Sequence, residues 1–316
     1  MRSATVYETS LTIIVSTMSA PTQPRHDAPV TISVIIACHN AASTLGEQLQ
    51  SLADQDYGES WELIIADNGS TDDSLGVVER YRPKLANVRV VDASGVRGAA
   101  HARNVAAAEA RAPYLAFCDA DDVVAKGWLL AVSRAVHQHD FVASRFEGDR
   151  LNSPEVRRVR KCPQQDGLMA FKYSSFLPFA GACGMAVRRT LFDELGGFDE
   201  SLLNGEDIDF CWRVQLMGTE LHFAGEAVVH IRLRSEPRAV LKQAENYGFW
   251  TVPLYLRYLP HGIPPVPWHS GARSWLRLMM RLPRLLRPSS RTQWLREFAY
   301  RRGLLKGSIR YRAFAL

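Results

Sequence analysis

The chain has 316 residues, 47% of them apolar and 22% charged, with five cysteines and a formal net charge of +5. That length and apolar content supply a substantial core and exclude a disordered or collagen-like chain, and no apolar run is long enough to cross a bilayer. The charge is unevenly divided: residues 273–316 hold twelve Arg or Lys against one acid, Glu297, which leaves the rest mildly acidic and points the tail at an anionic surface, with no nucleic acid as partner of the whole face.

Residues 11–15 are too short an apolar run for a signal-peptide core, so 1–28 read as a disordered leader in which Met18 is an alternative start. Cys38, Cys118, Cys162, Cys183 and Cys211 form no CxxC pair or metal-ligand spacing, and their odd number favours a reducing cytoplasm. Cys38, Cys118 and Cys211 sit in apolar surroundings and read as small core residues. From residue 31, apolar strand runs alternate with helix-like segments, the pattern of βαβ units around a parallel sheet. Residues 31–37 (TISVIIA) form the first strand and end in Cys38-His39-Asn40, after which Ser43 caps a helix over 44–54. Residues 61–66 form the second strand. It leads into Asp67-Asn68-Gly69-Ser70-Thr71-Asp72-Asp73, a loop of turn and cap residues from which a helix runs to Tyr81. A short third strand follows at 88–91, then an Ala-rich helix at 98–109 with Arg103 and Asn104 in its middle.

The organising stretch is 113–123 (PYLAFCDADDV), an apolar strand that ends in Asp119, Asp121 and Asp122. A strand apolar at every position is buried on both faces, and open α/β sheets bind ligands just past the carboxyl ends of such strands. Carboxylates spaced Asp-x-Asp there repel one another unless a divalent cation sits between them, although an Asp-rich turn is the alternative. Beyond it the pattern gives a helix at 126–139, a strand at 140–145 and an unpatterned excursion at 147–176 suited to acceptor contacts. A small-residue run occupies 180–187, and an acidic helix begins within 204–213 and stops at Gly218. Two short strands follow at 220–223 and 227–231, with His230 near the end of the second. Four prolines within 258–268 mark a boundary. Helical segments at 272–286, kinked or divided by Pro283, and at 291–302, interrupted by Pro288-Ser289-Ser290, close the chain.

The loops after the first, second and central strands share one crevice in a doubly wound sheet. Taken in order over residues 31–232, SVIIACHN, ADNGSTDDS, GAAHARN, YLAFCDADD and GGFDE with GEDIDFCWR resemble the family 2 glycosyltransferases. The resemblance implies an α/β GT-A fold, a Rossmann-like, mostly parallel sheet flanked by helices. It implies a catalytic domain over 29–258, with a nucleotide-binding half (29–122) and an acceptor half (123–258), then a basic helical extension (259–316). Ala37, His39, Asn40, Asp67 and Asn68 match nucleoside-contacting positions, and Arg103 matches an Arg that faces the pyrophosphate. Asp119 and Asp121 match the Asp-x-Asp pair that holds Mn2+ or Mg2+ at the donor, and His230 resembles a His that completes the metal shell in some relatives. Glu206 and Asp207 match an acidic pair whose Asp is the general base. The implied reaction is inverting transfer of one sugar from a nucleotide-diphosphate sugar to a hydroxyl of a glycan or lipid-linked acceptor, in cell-surface polysaccharide or glycolipid synthesis. Ala37-Cys38-His39 replaces a commoner Pro-Thr-Tyr and Asn68 a common Asp, which leaves base and sugar open. The Gln-x-x-Arg-Trp motif and membrane helices of processive synthases are absent, which favours single-sugar transfer.

Local chemistry keeps other readings open. Asp207 fits a helix-start charge beneath an Asn204 cap, His230 a satisfied strand-end histidine, and Asp209 with Arg213 a helix-surface ion pair. Trp212 fits ordinary core, and Arg103 a solvated helix residue. Asp119-Ala120-Asp121-Asp122-Val123 also resembles the haloacid-dehalogenase phosphohydrolase motif with Asp119 as nucleophile, although that family carries it on its first strand. A third reading is a non-catalytic sugar-nucleotide-binding protein. In the tail, Trp275, Leu276, Leu278, Met279, Leu282, Leu285 and Leu286 interleave with five arginines, and Trp294, Leu295, Phe298 and Tyr300 accompany four more. Such a pattern suits a helix lying in an anionic membrane interface, at the inner face of the plasma membrane, or an apolar face packed on the catalytic domain.

Overall fold

The computed structural model describes residues 29–85, 87–171 and 176–313, so the expected leader lies outside the described residues. Strands β1 (Ile32–Cys38), β2 (Trp61–Asp67), β3 (Val88–Asp92) and β4 (Tyr114–Asp119) run parallel in the order β3-β2-β1-β4, joined by helices α1 (Leu45–Ala53), α2 (Ser74–Tyr81) and α3 (Ala99–Ala108). The chain continues through β5 (Val123–Val124), α4 (Trp128–His139), β6 (Phe141–Glu147), α5 (Pro154–Val159), β7 (Met185–Arg188), α6 (Arg189–Glu194), α7 (Glu206–Leu216) and β8 (His222–His230). These extend the sheet to β3-β2-β1-β4-β7-β6-β8-β5. Because β7 is antiparallel to both β4 and β6, and β5 to β8, the sheet is parallel in its first half and mixed in its second.

Ser33, Val34, Ile35 and Ile36 are all fully buried, as a strand covered on both faces requires. Val34 and Ile36 feed one core with Leu45 and Leu49 of α1, Val77 and Val78 of α2 and Trp128 of α4. Ile35 feeds the other with Phe117 of β4, the alanines of α3, and Phe210 and Trp212 of α7. The buried face of α3 is Ala100, Ala102, Ala106 and Ala107, short enough for the helix to lie close against β1 and β2. Cys38, Cys118 and Cys211 are buried, and all five cysteines are free thiols.

The remaining elements differ from expectation in specific ways. No side chain caps α1, whose N-cap is Thr44, so Ser43 does not play that part. The two strands expected at 220–223 and 227–231 are one strand, β8, whose pairing with β6 slips between Ala224 and Val228, so three residues bulge out and break the pattern. The excursion at 147–176 contains α5, whose N-cap Ser153 accepts from the Val156 N–H. A 22-residue helix, α8 (Pro237–Tyr258), occupies a span to which the sequence pattern assigns no element. Its buried stripe is Val240, Ala244, Gly248 and Val252, spaced four apart but composed largely of small residues, with Pro253 inside it. A helix α9 (Trp268–Met280), a 3-10 stretch around Pro283, and α10 (Pro288–Arg310) complete the chain. Pro283 therefore divides the segment, whereas Pro288 opens α10 instead of interrupting it, consistent with proline at a first helical position.

The extension is seated on the body. A Cβ on Gly248 of α8 would lie 2.0 Å from the Tyr300 carbonyl oxygen, and one on Gly303 of α10 would lie 2.0 Å from the Glu245 carbonyl oxygen. Only glycine permits two helix backbones to approach so closely. Glu245 also accepts from Arg302 and from Lys306 across the same seam.

Candidate active site

Register brings the strand ends together. Ala37 pairs with Asp119, Cys38 with Asp67, and Asp67 with Asp92, so β1, β2, β3 and β4 finish side by side. The direction of winding reverses between β1 and β4, the position where such sheets open a crevice.

The loops after β1 and β2 are stitched into one wall. Asn40 adopts φ 50°, a left-handed conformation that Asn tolerates; its N–H donates to Ser70 Oγ at 3.0 Å, and its Oδ1 accepts from the Thr71 N–H at 2.7 Å. The Ala41 and Ala42 N–H groups donate to Ser74 Oγ and Asp72 Oδ2 at 2.8 and 2.9 Å. His39 Nδ1 donates to the Asn68 carbonyl at 3.0 Å, which fixes its tautomer and leaves Nε2 toward Asn40 and Arg97. The Asn68 side chain is buried and internally satisfied: Nδ2 donates to the Ala93 and Val96 carbonyls, and Oδ1 accepts from the Gly98 N–H at 2.9 Å. It shapes the turn into α3. Asp67 keeps more freedom, since its carboxylate meets the Ser70 N–H only at 3.2 and 3.3 Å.

Arg103 is far from solvated. Only 5% of its side chain is exposed, and it bridges Asp119 Oδ1 at 2.8 Å and Glu206 Oε1 at 3.0 Å. Burial opposes its charge, but Asp119 and Glu206 overcome that and raise its pKa. This guanidinium ties the end of β4 to the start of α7.

Past β4, the Asp119 and Asp122 carboxylates converge with the Cys183 thiol within 4.8 Å of one another. Among the described residues Asp121 and His230 stand outside that group. Asp122 is buried and accepts from the Arg232 N–H at 2.8 Å, which pins the β4–β5 turn to the chain after β8. Desolvation and then the neighbouring Asp119 raise the pKa of Asp121, and desolvation with Asp119 and Asp121 raises that of Asp122. Burial likewise raises the Cys183 thiol, so it serves Asp122 as a neutral donor. Carboxylates held above their usual range by desolvation and mutual repulsion are a donor set that a hard divalent cation suits. His230 pairs in register with Val123 and with Glu147, and its Nδ1 is hydrogen-bonded to the Glu147 carboxylate, an arrangement that orients the ring.

At the start of α7 the N-cap is Gly205 at φ 85°, where a Cβ would meet Leu254, and no side chain caps the helix, so Asn204 is not the cap. Asp207 Oδ1 accepts from the Ile208 N–H at 2.8 Å. Desolvation, then the Glu206 charge, push Asp207 up to about 7, against the pull of Ile208 and Arg103. Asp209, expected on the surface with Arg213, is 0% exposed. It does pair with Arg213, but it also accepts from Arg257 and from the Tyr258 hydroxyl, each at 2.8 Å. Trp212 is core, with its indole N–H on the Leu177 carbonyl.

Two cavities lie near these residues, the smaller at Asp121 and the larger at Asn204 before α7. One of about 490 Å³ is bordered by Asn204, Arg234, Lys242, Gln243 and Tyr247, and one of about 320 Å³ by Asp121, Asn152, Arg232 and Arg234. They meet at Arg234. Desolvation, then the Asp207 carboxylate, raise the Tyr247 hydroxyl pKa, and Asn204, three residues before Asp207, borders the larger cavity with Tyr247. The sequence pattern assigned no separate role to Asp122, one of the run of acids, or to Cys183, whose only signal is the small-residue run. Tyr247 and Lys242 lie on the unassigned α8.

Comparison with known proteins places these motifs in context. Residues 33–196 match the sequence profile of glycosyl transferase family 2. A pre-mycofactocin glycosyltransferase of Mycobacterium tuberculosis is 25% identical over 281 residues, 83% of this chain and 55% of that protein. The poly(ribitol-phosphate) beta-N-acetylglucosaminyltransferase TarS of Staphylococcus aureus is 35% identical over 109 residues, 34% of this chain and 19% of its own length. The chain thus spans about half of the first relative and a fifth of the second. Its fold is similar to that of the mannosyltransferase PcManGT from Pyrobaculum calidifontis, solved in complex with GDP-Man and Mn2+, with a TM-score of 0.63, 20% identity, and coverage of 87% of this chain and 86% of that one. It is also similar to S. aureus TarS 1–349 in complex with UDP-GlcNAc, with a TM-score of 0.54, 19% identity, and coverage of 91% and 93%. The profile runs from within β1 to just past α6, over half of the chain, and the sheet agrees with both structures: the chain belongs to glycosyl transferase family 2 and has the GT-A fold.

Proposed function

We propose that the chain is a metal-dependent, inverting glycosyltransferase that moves one sugar from a nucleotide-diphosphate sugar to a hydroxyl of a glycan or lipid-linked acceptor, in cell-surface polysaccharide or glycolipid synthesis. The observation that carries this reading is the place of the Asp207 carboxylate at the start of α7, next to Glu206 on the Arg103–Asp119 bridge and three residues after Asn204, which borders the larger cavity; burial and the Glu206 charge push it up to about 7. An acceptor hydroxyl is a poor nucleophile near neutral pH, and a carboxylate with a pKa near the working pH is the effective base for it. With the acceptor in the cavity and the donor in the crevice, Asp207 takes the hydroxyl proton as the oxygen attacks the anomeric carbon. A single displacement of this kind inverts configuration.

On the donor side, Asp67 and the His39–Asn40 turn border the nucleoside, Ala37 lies in the floor beside Asp119, and Asn68 shapes the pocket from behind. Arg103 stabilises the leaving diphosphate, and its Nε is buried without a partner, a donor open to an incoming oxygen. Asp119 and Asp121, with His230 oriented by Glu147, would hold Mn2+ or Mg2+ once Asp121 and His230 turn toward the Asp119–Asp122 group, and the bound cation would offset the charge of the departing diphosphate. The mannosyltransferase of similar fold was solved with GDP-Man and Mn2+, which supports a divalent cation beside a nucleotide sugar. Asp119 as a phosphohydrolase nucleophile is disfavoured by its ion pair with Arg103 and its place on the fourth strand.

A thermal-shift screen over UDP-, GDP- and dTDP-sugars tests the donor site. One base should stabilise the protein in Mn2+ or Mg2+, by about 2.7 kcal/mol at a hundred times its Kd, and chelation should abolish the shift. Donor binding that survives full metal removal unchanged would overturn the role of the Asp pair. The pH dependence tests the base. At saturating metal, kcat/KM should rise with pH to a plateau, with an apparent pKa near 7. Glu206→Gln removes a negative neighbour, makes ionisation of Asp207 easier and should move that limb to lower pH; a limb that stays in place would count against Asp207.

A further inference from the structure

The most conspicuous surface that the transferase reading leaves unused lies on α9 and the 3-10 stretch after it. Leu276, Met280 and Leu286 are 60%, 65% and 86% exposed, and Met279 and Leu282 are exposed beside them. The opposite face of α9 is packed: Leu278 is fully buried, its carbonyl accepts from the Trp294 indole at 2.9 Å, and Trp275 meets Phe298 edge-on. The apolar side chains of 276–286 are therefore not a core seam that slipped outward. They form a second face, uncovered among the described residues, on an element already anchored by its first.

The charges around this face point to its occupant. Arg273, Arg277, Arg281, Arg284 and Arg287 are all exposed. Arg281 reaches Glu297 at 3.6 Å, and the other four have no acid within ion-pair distance among the described residues. From 268 to 313 the only acid is Glu297, which Arg301 also holds. A protein partner would match a dense row of arginines with acids at fixed positions, whereas an anionic lipid surface supplies a continuous field of negative charge and an apolar layer beneath it. Amphipathic helices with arginine beside leucine and methionine bind there by shallow insertion. No helix among the described residues is long and apolar enough to cross a membrane, so the element lies on the surface.

We propose that residues 276–286 insert into the interface of an anionic membrane, with the five arginines on lipid phosphates, and that α10 is not part of the contact. Trp294, Leu304 and Ala299 of α10 are buried, and its glycines are closed against α8, so α10 is the strut that holds α9 outward. The basic tail is thus divided between a lipid-facing hairpin and a structural helix, not a uniformly membrane-binding segment.

Because α10 is seated on the body, the test changes exposed side chains and keeps the full chain. Vesicles of phosphatidylcholine alone and of phosphatidylcholine with phosphatidylglycerol are sedimented with wild type, with Leu276→Ser/Met280→Ser/Leu282→Ser/Leu286→Ser, and with Arg273→Gln/Arg277→Gln/Arg284→Gln/Arg287→Gln. The wild type should bind the anionic vesicles at least tenfold more tightly than the neutral ones, and less tightly as salt rises. The serine variant should lose at least tenfold on anionic vesicles, and the glutamine variant should lose the preference for them, with far-UV circular dichroism and melting unchanged. Equal binding of wild type to both vesicles, or a serine variant that binds like wild type, would overturn the proposal. Concentration-dependent self-association of wild type that the serine variant abolishes, with no vesicle binding, would assign the face to a second copy and overturn it as well. The readout is binding, so it stands whether or not the transferase assignment holds.

Discussion

Asp207→Asn should bind donor as the wild type does and lose about 10²–10⁴-fold in the rate of transfer, the usual contribution of a general base. The amide keeps the size of the side chain, and its oxygen can still accept from the Ile208 N–H, so the first turn of α7 has no reason to move. What disappears is a proton acceptor whose pKa of about 7 matches the working range. The rising limb of the pH profile should vanish with it. Measured turnover with acceptor, beside donor affinity from calorimetry, separates this from a binding defect. Turnover near wild type would move the base elsewhere, and Asp209 is no substitute: it is 0% exposed and engaged by Arg213, Arg257 and Tyr258.

Arg103→Met should be the most damaging single change to the site as a structure. The guanidinium is the cation between Asp119 and Glu206, and its charge also acts on Asp207. A methionine fills much of the volume but leaves two half-buried acids without a counter-charge; for a fully buried pair such a loss costs about 3–5 kcal/mol, and solvent screening at Asp119, 35% exposed, brings it below that. Removing a positive neighbour also makes ionisation of Asp207 harder, so the limb of the pH profile should move to higher pH, opposite to Glu206→Gln. Chemical denaturation and the pH profile read the two effects separately. A variant as stable as the wild type, with its limb unmoved, would show that the bridge does not govern this site.

The first half of the fold was legible because strand burial on both faces writes itself as unbroken apolar runs: TISVIIA, WELIIA and YLAFC each mark a strand of the parallel half. Loop chemistry marked where these strands end, since Asn, Asp, Ser and Gly after an apolar run are turn and cap residues. The second half was harder. In β8 the bulge between Ala224 and Val228 interrupts the period of two, so one strand reads as two. In α8 the seam is built on Ala244 and Gly248, and an interior Pro253 argues locally against the helix that tertiary packing enforces. Site residues named from motifs came together where charge demanded it, as with Arg103, Asp119 and Glu206. The direction of a side chain was not legible: that Asn68 turns inward to Ala93, Val96 and Gly98 depends on a loop two elements away.

The glycine contacts between α8 and α10 have a thermodynamic consequence. At the glycine positions carbonyl oxygens sit where side chains would otherwise interdigitate, and beside them Val252 and Leu304 pack with Leu256 and Tyr300, so the seam is close-packed throughout. Opening of α10 uncovers Gly248 and Val252 on the same helix that carries Lys242, Gln243 and Tyr247 into the larger cavity. The two helices are thus expected to open as one cooperative unit, with amide exchange in both slowing and quickening together. A chain cut where the family stretch ends, at residue 196, would lack both helices, and one cut after α8 would leave Gly248 and Val252 uncovered.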